Sequence, residues 1–258
     1  MSSNKKTDLF SALGALPPNI KMGILSVLKQ QPDDEKVSLP PPVFSVASIK
    51  TEKLKILSET DVQTLAKDGF VVKDSFLATC NTKCRANDVL QEFQVLLKDG
   101  KLKPAKMKRQ ATDSTWASSD TRGDKIVWLK RKEAPESIAV LMDCLDLIRT
   151  ELNEAVGLAS EETHTQLACY EEDGSRYVRH RDTYDNGPKR RLTAIYYANP
   201  EWKQEHGGQL RIYTGAAVSV TKDIEPIADR VIIFLSSWLE HEVLATHFPR
   251  YALTTWIA

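Results

Sequence analysis

Apolar residues follow two different periodicities along the chain. In the first region they recur every three or four residues, which is the spacing of amphipathic helices. A capping-box-like start at Ser58 and a stop at Gly69 delimit one predicted helix, and Gly100 ends a second. A third runs from Pro135, a residue favoured in a first helical turn, to Gly157. We predict that these helices are structural supports.

Short apolar, β-branched or aromatic runs take over from Thr165 onwards. The predicted strands are 165–170, 177–182, 192–198, 209–213, 231–235 and 251–257. Turn residues such as Asn186-Gly187-Pro188 and Gly207-Gly208 separate them. Because many short strands follow one another without helices between them, we predict an α+β fold. Its core would be a double-stranded β-helix, jelly-roll or cupin-like, with supporting N-terminal helices.

The first 50 residues differ from both regions. Apolar positions between Leu9 and Leu28 fit two short amphipathic helices around Pro17-Pro18, and a charged, proline-rich stretch at 31–42 indicates a linker. Three roles stay open for this segment: partner binding, packing on the main domain, or disorder. We therefore expect an N-terminal extension and linker over residues 1–50 and one large domain over residues 51–258.

Charge and composition limit the classes of partner and the cellular compartment that we expect for this chain. The 258 residues include 35 basic and 35 acidic side chains, so there is no net field to attract nucleic acid. No run of about 18 apolar residues is present to span a membrane. Four cysteines are too few for a disulfide scaffold, and Asp8 interrupts the N-terminal apolar run, which argues against a secretory signal. We expect a monomer of the cytoplasm or nucleus that binds neither nucleic acid nor membranes.

The tripeptide His180-Arg181-Asp182 carries the candidate chemistry. On a strand alternate side chains share a face, so His180 and Asp182 project together and Arg181 points away. By itself such a tripeptide is more often the solvated face of a strand than a metal site. His241 is the best candidate for a third ligand, and two imidazoles with one carboxylate form the facial triad of non-haem Fe(II) oxygenases.

A charged residue among apolar neighbours points to an anionic ligand. Period two places Arg250, Thr254 and Trp256 on one face of the last predicted strand. The planar fork of Arg250 can hold a carboxylate through two charge-assisted hydrogen bonds, as an anionic dicarboxylate co-substrate would require. Tyr170 and Tyr197, on other predicted strands, either complete this carboxylate site or are ordinary half-buried aromatics.

Several ordered motifs of the chain resemble one known family. They lie at 168–170, 174–182, 195–197, 207–212, 223–226, 241–243 and 250–256, with a further block at 121–128. Together they are similar to the catalytic domain of the 2-oxoglutarate- and iron-dependent prolyl 4-hydroxylases. The most similar branch is the cytosolic and nuclear oxygen-sensing type, which acts on hypoxia-inducible factor in animals and on a ubiquitin-ligase adaptor in protists. The collagen-modifying branch is less similar, because it has lysine where Arg250 stands.

The resemblance implies a role for each candidate residue. The implied iron ligands are His180, Asp182 and His241. The residues implied to bind 2-oxoglutarate are Arg250 and Tyr197, at its distal carboxylate, and Tyr170, near its metal-chelating end. Those implied to line the iron pocket are Thr254 and Trp256. Residues 107–123 correspond to a mobile loop that covers bound peptide, where Arg122 and Asp124 are the candidate residues, although the composition fits a simple exposed hairpin tip equally well.

The implied activity is hydroxylation of a prolyl residue in a cytosolic or nuclear protein substrate, in the service of oxygen sensing. Fe(II) would be the metal, 2-oxoglutarate and O2 the co-substrates, and L-ascorbate the reductant. Two alternatives stay open: another Fe(II)/2-oxoglutarate oxygenase, acting on a ribosomal protein or a small molecule, and a non-catalytic jelly-roll binding module. The chain ends two residues after Trp256, where we expect the C-terminal helix of the animal enzymes to be missing, so the substrate is open as well.

Overall fold

The computed structural model describes residues 44–105, 122–172, 174–183, 189–214 and 221–258. The helices predicted around Pro17-Pro18, the linker, the loop at 107–121 and the turn at 186–188 lie outside these residues. The division of the chain at residue 50 stays a prediction, although Phe44 and Ile49 pack against the core. No helix in the described ranges is both long and apolar enough to cross a membrane.

The described residues contain four α-helices: α1 (Glu59–Asp68), α2 (Phe76–Thr79), α3 (Ala86–Lys98) and α4 (Glu136–Val156). The three predicted helices are confirmed as α1, α3 and α4, whereas the short α2 is not among the predictions. Ser58 and Asp61 cap α1 reciprocally, because each backbone N–H donates to the side chain of the other, over 2.7 and 3.1 Å. Gly69 and Gly157 end α1 and α4 in the left-handed conformation that favours glycine.

Two antiparallel sheets form the body of the domain. The strands are β1 (Phe70–Lys73), β2 (Lys103–Pro104), β3 (Lys125–Leu129), β4 (Thr163–Tyr170), β5 (Tyr177–His180), β6 (Leu192–Tyr197), β7 (Leu210–Tyr213), β8 (Thr221–Ile224), β9 (Arg230–Leu235), β10 (Glu240–Val243) and β11 (Arg250–Ile257). The major sheet has the order β1-β9-β6-β11-β4-β3-β2 and the minor sheet the order β5-β10-β7-β8. The predicted double-stranded β-helix is confirmed. Strand β1 lies where the apolar run Phe70-Val71-Val72 also predicts a strand, and β2, β3, β8 and β10 add to the predicted strands.

The major sheet is buried on both faces, which gives the domain two hydrophobic clusters. On β6, Ala194 and Tyr196 belong to the cluster under the helices, whereas Ile195 and Tyr197 belong to the cluster that faces the minor sheet. The alternation follows from the two-residue period of a strand. Every second residue of the central strands therefore points into the space between the sheets, where the candidate site lies.

Strand β5 is shorter than the predicted strand at 177–182. It ends at His180, and Asp182 lies two residues beyond it. The partner strand β10 begins at Glu240, one residue before the residue paired with His180, so the position opposite Asp182 lies outside β10. The predicted common direction of His180 and Asp182 nevertheless survives, because their side chains meet in space.

A buried carboxylate ties the segment before α1 to α4. Glu151 is 4 % exposed, and its carboxylate accepts three backbone N–H groups, from Lys55, Ile56 and Leu57, over 2.8–3.1 Å. Three successive donors aimed at one anion satisfy a turn that would otherwise bury unpaired N–H groups. This contact therefore holds the segment before α1 against α4.

Replacing Glu151 by glutamine should lower the free energy of unfolding by about 1–3 kcal/mol, because hydrogen bonds to a charged group are lost and an amide NH2 is placed near backbone donors. Urea unfolding followed by circular dichroism measures the change. Glu154→Gln is the matched control, since Glu154 is half exposed and its ion pair with Lys53 spans 3.6 Å. Its effect should stay within about 0.5 kcal/mol. Equal effects of the two substitutions would contradict the anchoring role of Glu151.

Candidate active site

Three side chains with metal-binding atoms converge between the two sheets. His180 on β5 and His241 on β10 stand directly opposite each other in the minor sheet, and Asp182 follows in the adjoining loop. Asp182 Oδ1 lies 3.7 Å from Nε2 of His180 and 3.9 Å from Nε2 of His241. One ligand atom from each of the three residues fits within 4.8 Å, and no other such group of His, Cys, Asp and Glu occurs in the described part of the chain.

The orientation of both imidazoles is set by backbone carbonyls. His180 Nδ1 lies 2.8 Å from the carbonyl oxygen of Val178, and His241 Nδ1 lies 3.2 Å from that of Leu239. Each Nδ1–H can therefore donate to the main chain, which leaves the lone pair of Nε2 directed at the space beside Asp182. Such a partner on the second nitrogen is the usual way in which proteins orient a metal-ligating histidine.

The protonation states of His180 and Asp182 favour the binding of a cation. Burial, and secondly the neighbouring His241, lower the pKa of His180 to about 3, so this imidazole is neutral at neutral pH. Burial acts to raise the pKa of Asp182, but the two imidazoles and a hydrogen bond from Thr193 outweigh it and lower the pKa overall. The cluster thus offers neutral nitrogen and anionic oxygen, the donor set that fits Fe(II) and leaves three adjacent positions open.

Arg250 is a buried cation at the other end of the same cavity. Its side chain is 4 % exposed, its Nε donates to the carbonyl of Gly208 over 2.7 Å, and it forms no ion pair with a carboxylate among the residues that the structure describes. A buried charge without a partner is costly, so a ligand anion is the expected counter-charge. The cavity that joins Arg250 to the three-residue cluster has a volume of about 370 Å³.

Tyr170 and Tyr197 flank the Arg250 guanidinium. Its central carbon lies 5.0 Å from the centre of each ring. The Tyr197 hydroxyl is buried and has no hydrogen-bond partner among the described residues. Burial raises the pKa of Tyr197 to about 12 and that of Tyr170 well above its ordinary value, so both hydroxyls keep their protons and can donate. Arg250 and the two tyrosines are therefore all available as hydrogen-bond donors to a bound anion.

Thr254 and Trp256 line the same cavity, as their position on the face of β11 predicts. Arg190 covers Trp256, with its guanidinium carbon 4.1 Å from the indole centre. Its Nε is buried and has no hydrogen-bond partner in the part of the chain that the structure describes, while its Nη1 donates to the backbone carbonyl of Asp182 over 3.2 Å. Sequence reasoning missed Arg190, although the basic run at 189–191 directly before β6 was available as a signal.

Residues 165–258 match the 2OG-Fe(II) oxygenase superfamily. Among curated proteins, prolyl hydroxylase EGLN3 of Mus musculus is 34% identical over 208 residues, which are 78% of this chain and 83% of that protein. The chain belongs to the prolyl hydroxylases of this superfamily. Egl nine homolog 1 of Homo sapiens is 36% identical over 79% of this chain but only 47% of that protein. The chain thus spans about half the length of the Egl nine homologues that it matches.

Solved structures of prolyl hydroxylases have the same fold. The prolyl hydroxylase of Trichoplax adhaerens, in complex with a peptide fragment of the hypoxia inducible factor oxygen degradation domain, superposes with a TM-score of 0.66 at 31% identity, over 76% of this chain and 86% of that one. The prolyl 4-hydroxylase of Pseudomonas putida gives 0.64 at 29% identity, over 77% and 96% of the two chains. Family membership implies Fe(II), 2-oxoglutarate and O2 as the reacting partners.

Arg122 and Asp124 form an internal ion pair at the cavity wall. Arg122 donates from Nε and Nη2 to the two carboxylate oxygens of Asp124 over 2.6 and 2.9 Å, and from Nη2 also to Gln166 over 2.8 Å. The Asp124 side chain is fully buried, whereas that of Arg122 is 16% exposed and lines the cavity. Only Arg122 of the two is therefore accessible to a ligand, and the preceding loop lies outside the described residues.

Tyr177 links this ion pair to the metal-binding cluster and was missed by sequence reasoning. The Arg122 guanidinium carbon lies 4.6 Å from the centre of the Tyr177 ring, which stacks on His180 with ring centres 3.8 Å apart. The two-residue period could not have revealed it, because it places Tyr177, three residues before His180, on the opposite face of a regular strand. A bulge in β5 brings both rings to one side, since Tyr177 pairs with Val243 while His180 pairs with His241. The stack restrains the plane of the His180 imidazole.

Gly208→Ala should raise the 2-oxoglutarate concentration needed for half-maximal turnover. Its φ is +72°, and an added Cβ would lie 2.8 Å from Cδ of Arg250 and 2.9 Å from Cγ2 of Thr246, so the arginine must move. Gly157→Ala is the matched control, because its φ is +67° but nothing lies within 4 Å of an added Cβ. Both substitutions should cost stability of about 1 kcal/mol from backbone strain, and only Gly208→Ala should alter the co-substrate requirement in a succinate assay. If the 2-oxoglutarate requirement of Gly208→Ala is unaltered, the assignment of Arg250 to the co-substrate site is contradicted.

Proposed function

We propose that this protein is a prolyl 4-hydroxylase that oxidises a proline residue of a cytosolic or nuclear protein substrate. The reaction consumes O2 and 2-oxoglutarate and forms hydroxyproline, succinate and CO2, with one oxygen atom entering the proline and the other the succinate. The observation that carries the proposal is the burial of Arg250, a cation without a carboxylate partner among the described residues, in the same cavity as two imidazoles and a carboxylate.

In this proposal the chain holds the reactants, and iron supplies the oxidising power when it is bound. The iron ligands are His180, Asp182 and His241. Arg250 and Tyr197 bind the distal carboxylate of 2-oxoglutarate, and Tyr170 donates near its metal-chelating end. L-Ascorbate acts as the reductant that keeps the iron in the Fe(II) state.

The cavity walls have a separate task, which is to position the substrate and exclude water. Thr254 and Trp256 line the iron pocket beside the cluster. Arg122 contacts the peptide from the cavity wall, while Asp124 fixes the orientation of the Arg122 guanidinium. A dry site of this kind strengthens the charge interactions that retain 2-oxoglutarate.

The substrate class rests on the relatives. The Trichoplax adhaerens enzyme was solved with a hypoxia inducible factor peptide, and a Caenorhabditis elegans relative at 29% identity is named hypoxia-inducible factor prolyl hydroxylase. By this likeness the proposed role is oxygen sensing, in the cytoplasm or nucleus, by a monomer that acts through residues 51–258 and needs neither nucleic acid nor membranes. Residues 1–50 are proposed to be an extension outside the catalytic domain.

The test is mass spectrometry of proline-containing peptides incubated with the full chain, Fe(II), 2-oxoglutarate and ascorbate. The peptides come from hypoxia-inducible factor and from the ubiquitin-ligase adaptor, each with a proline-to-alanine partner as control. We expect a gain of one oxygen on proline and a matching amount of succinate. Omission of ascorbate should reduce the number of turnovers, since oxidised iron is no longer returned to Fe(II).

Two results would overturn the proposal in different ways. Iron-dependent succinate without oxygen on any proline would indicate another oxygenase of the superfamily, acting on a ribosomal protein or a small molecule. Failure to form succinate with any substrate, from a protein that retains its fold, would indicate a non-catalytic jelly-roll binding module.

A further inference from the structure

Two buried hydroxyl groups of neighbouring segments lie next to the metal-binding cluster. Thr193 on β6 and Ser236, the residue after β9, are both completely buried. Thr193 Oγ1 lies 2.7 Å from Oδ2 of Asp182 and 2.8 Å from Oγ of Ser236. Buried hydroxyls are tolerated only where they are hydrogen-bonded, and these two form a short chain that ends on Asp182.

The direction of the hydrogen bonds in this chain follows from proton counting. The Asp182 carboxylate can only accept, so the single hydroxyl proton of Thr193 is donated to it. Thr193 Oγ1 must then accept from Ser236, whose hydroxyl proton is the one left for the 2.8 Å contact. Each donor strengthens the next, because Thr193 becomes a better donor when it accepts a hydrogen bond itself.

The two oxygens of Asp182 consequently have different surroundings. Oδ2 is occupied by Thr193, whereas Oδ1 faces Nε2 of His180 at 3.7 Å and Nε2 of His241 at 3.9 Å. A carboxylate held in this way presents one oxygen to a metal. A free carboxylate could rotate and present both, which would occupy a coordination position that a facial triad leaves open for its substrates.

We propose that Thr193, supported by Ser236, is a positioning residue that presents only Oδ1 of Asp182 to the metal. The inference rests on the proposed metal site and adds to it a pair of residues that touch neither metal nor substrate. Partners of this kind, behind the direct ligands, typically contribute 10- to 100-fold to metal affinity.

A purely structural role for the same hydroxyls makes a different prediction. If Thr193 and Ser236 only satisfied each other inside the sheet, their loss would lower stability and leave metal binding unchanged. The chain offers a matched pair for this comparison, because Thr165 and Thr255 form a buried hydroxyl contact of 3.0 Å on other strands of the major sheet. Thr255 points to the opposite face from Trp256 and Thr254, away from the cavity.

The experiment titrates the metal-free full chain with Co(II) under anaerobic conditions and follows the visible absorption bands of the bound ion. Thr193→Val, which keeps shape and removes the donor, should raise the dissociation constant about 10- to 100-fold and alter the band shape. Thr193→Ser should remain close to the unsubstituted protein, because it keeps the hydroxyl. Ser236→Ala should have a smaller effect, and the double variant Thr193→Val/Ser236→Ala should match Thr193→Val alone, since Ser236 acts only through Thr193.

Thr255→Val is the control, with its melting temperature measured alongside that of Thr193→Val. Both should melt lower by roughly 2–4 °C, as expected for a domain of this size when one buried hydrogen bond is lost, but only Thr193→Val should bind Co(II) more weakly. An unsubstituted chain that binds no Co(II) would refute the metal site itself. If Thr193→Val binds Co(II) as tightly as the unsubstituted chain, the positioning role alone is refuted. If Thr193→Val does not fold, unchanged Co(II) binding by Ser236→Ala refutes that role instead.

Discussion

Asp182→Ala is expected to reduce iron-dependent succinate formation more than about 100-fold, beyond the 10- to 100-fold effect that is typical of residues behind the direct ligands. The substitution removes the anionic member of the cluster and leaves two imidazoles, which by themselves retain a divalent cation poorly. It also leaves the buried Thr193 hydroxyl without its acceptor. The fold should persist, because Asp182 lies in the loop after β5 and pairs with no other strand.

The measurement is succinate formed per enzyme at saturating 2-oxoglutarate, together with iron content after gel filtration. Asp223→Ala is the control, since Asp223 forms a partly exposed ion pair with Arg211 on the strands β8 and β7. We expect it to keep full turnover and iron. Turnover of the Asp182 variant at the rate of the unsubstituted protein would disprove the assignment of the metal ligands.

Arg250→Lys is expected to raise the half-saturating concentration of 2-oxoglutarate about 10- to 100-fold. A lysine keeps the charge but replaces a planar fork by a point charge, so one of two charge-assisted hydrogen bonds is lost, at about 1.5–3 kcal/mol. The Nε contact with the Gly208 carbonyl, 2.7 Å long, disappears as well. The maximal rate should fall less, because the guanidinium does not touch the metal-binding cluster.

Succinate formation as a function of 2-oxoglutarate concentration gives both parameters. The matched control is Arg211→Lys, since Arg211 also makes a two-pronged contact, with Asp223 over 2.7 and 2.8 Å, but on the outer side of the minor sheet. Its half-saturating concentration should not change. An equal response of the two variants would mean that Arg250 is not the carboxylate clamp.

The sequence was sufficient wherever a feature depends on neighbours along the chain. The Ser58 capping box, the left-handed Gly69 and the ends of α4 all follow from interactions within a few residues. The shared face of Arg250, Thr254 and Trp256 follows from the fixed period of an extended backbone. The common direction of the His180 and Asp182 side chains was also predicted from that period alone, although β5 ends before Asp182.

Other features depend on residues that are far apart in the chain. The strands β3, β8 and β10 are short, and the apolar pattern within them is too brief to distinguish them from loops. Their existence depends on partners in the completed sheets, such as β4 for β3 and β7 for β10. The burial of Asp124 beneath Arg122 depends on the same packing, which composition alone does not reveal.

The ligand types, their spacing and the arginine that awaits a carboxylate could all be predicted from the sequence, because side-chain chemistry and strand periodicity are local properties. Which oxygen of Asp182 faces the two imidazoles, and which accepts from Thr193, follows only from the packed fold. The reason is that Asp182, Thr193 and Ser236 lie on separate elements, and a hydrogen bond between them exists only after the major sheet has assembled around β6.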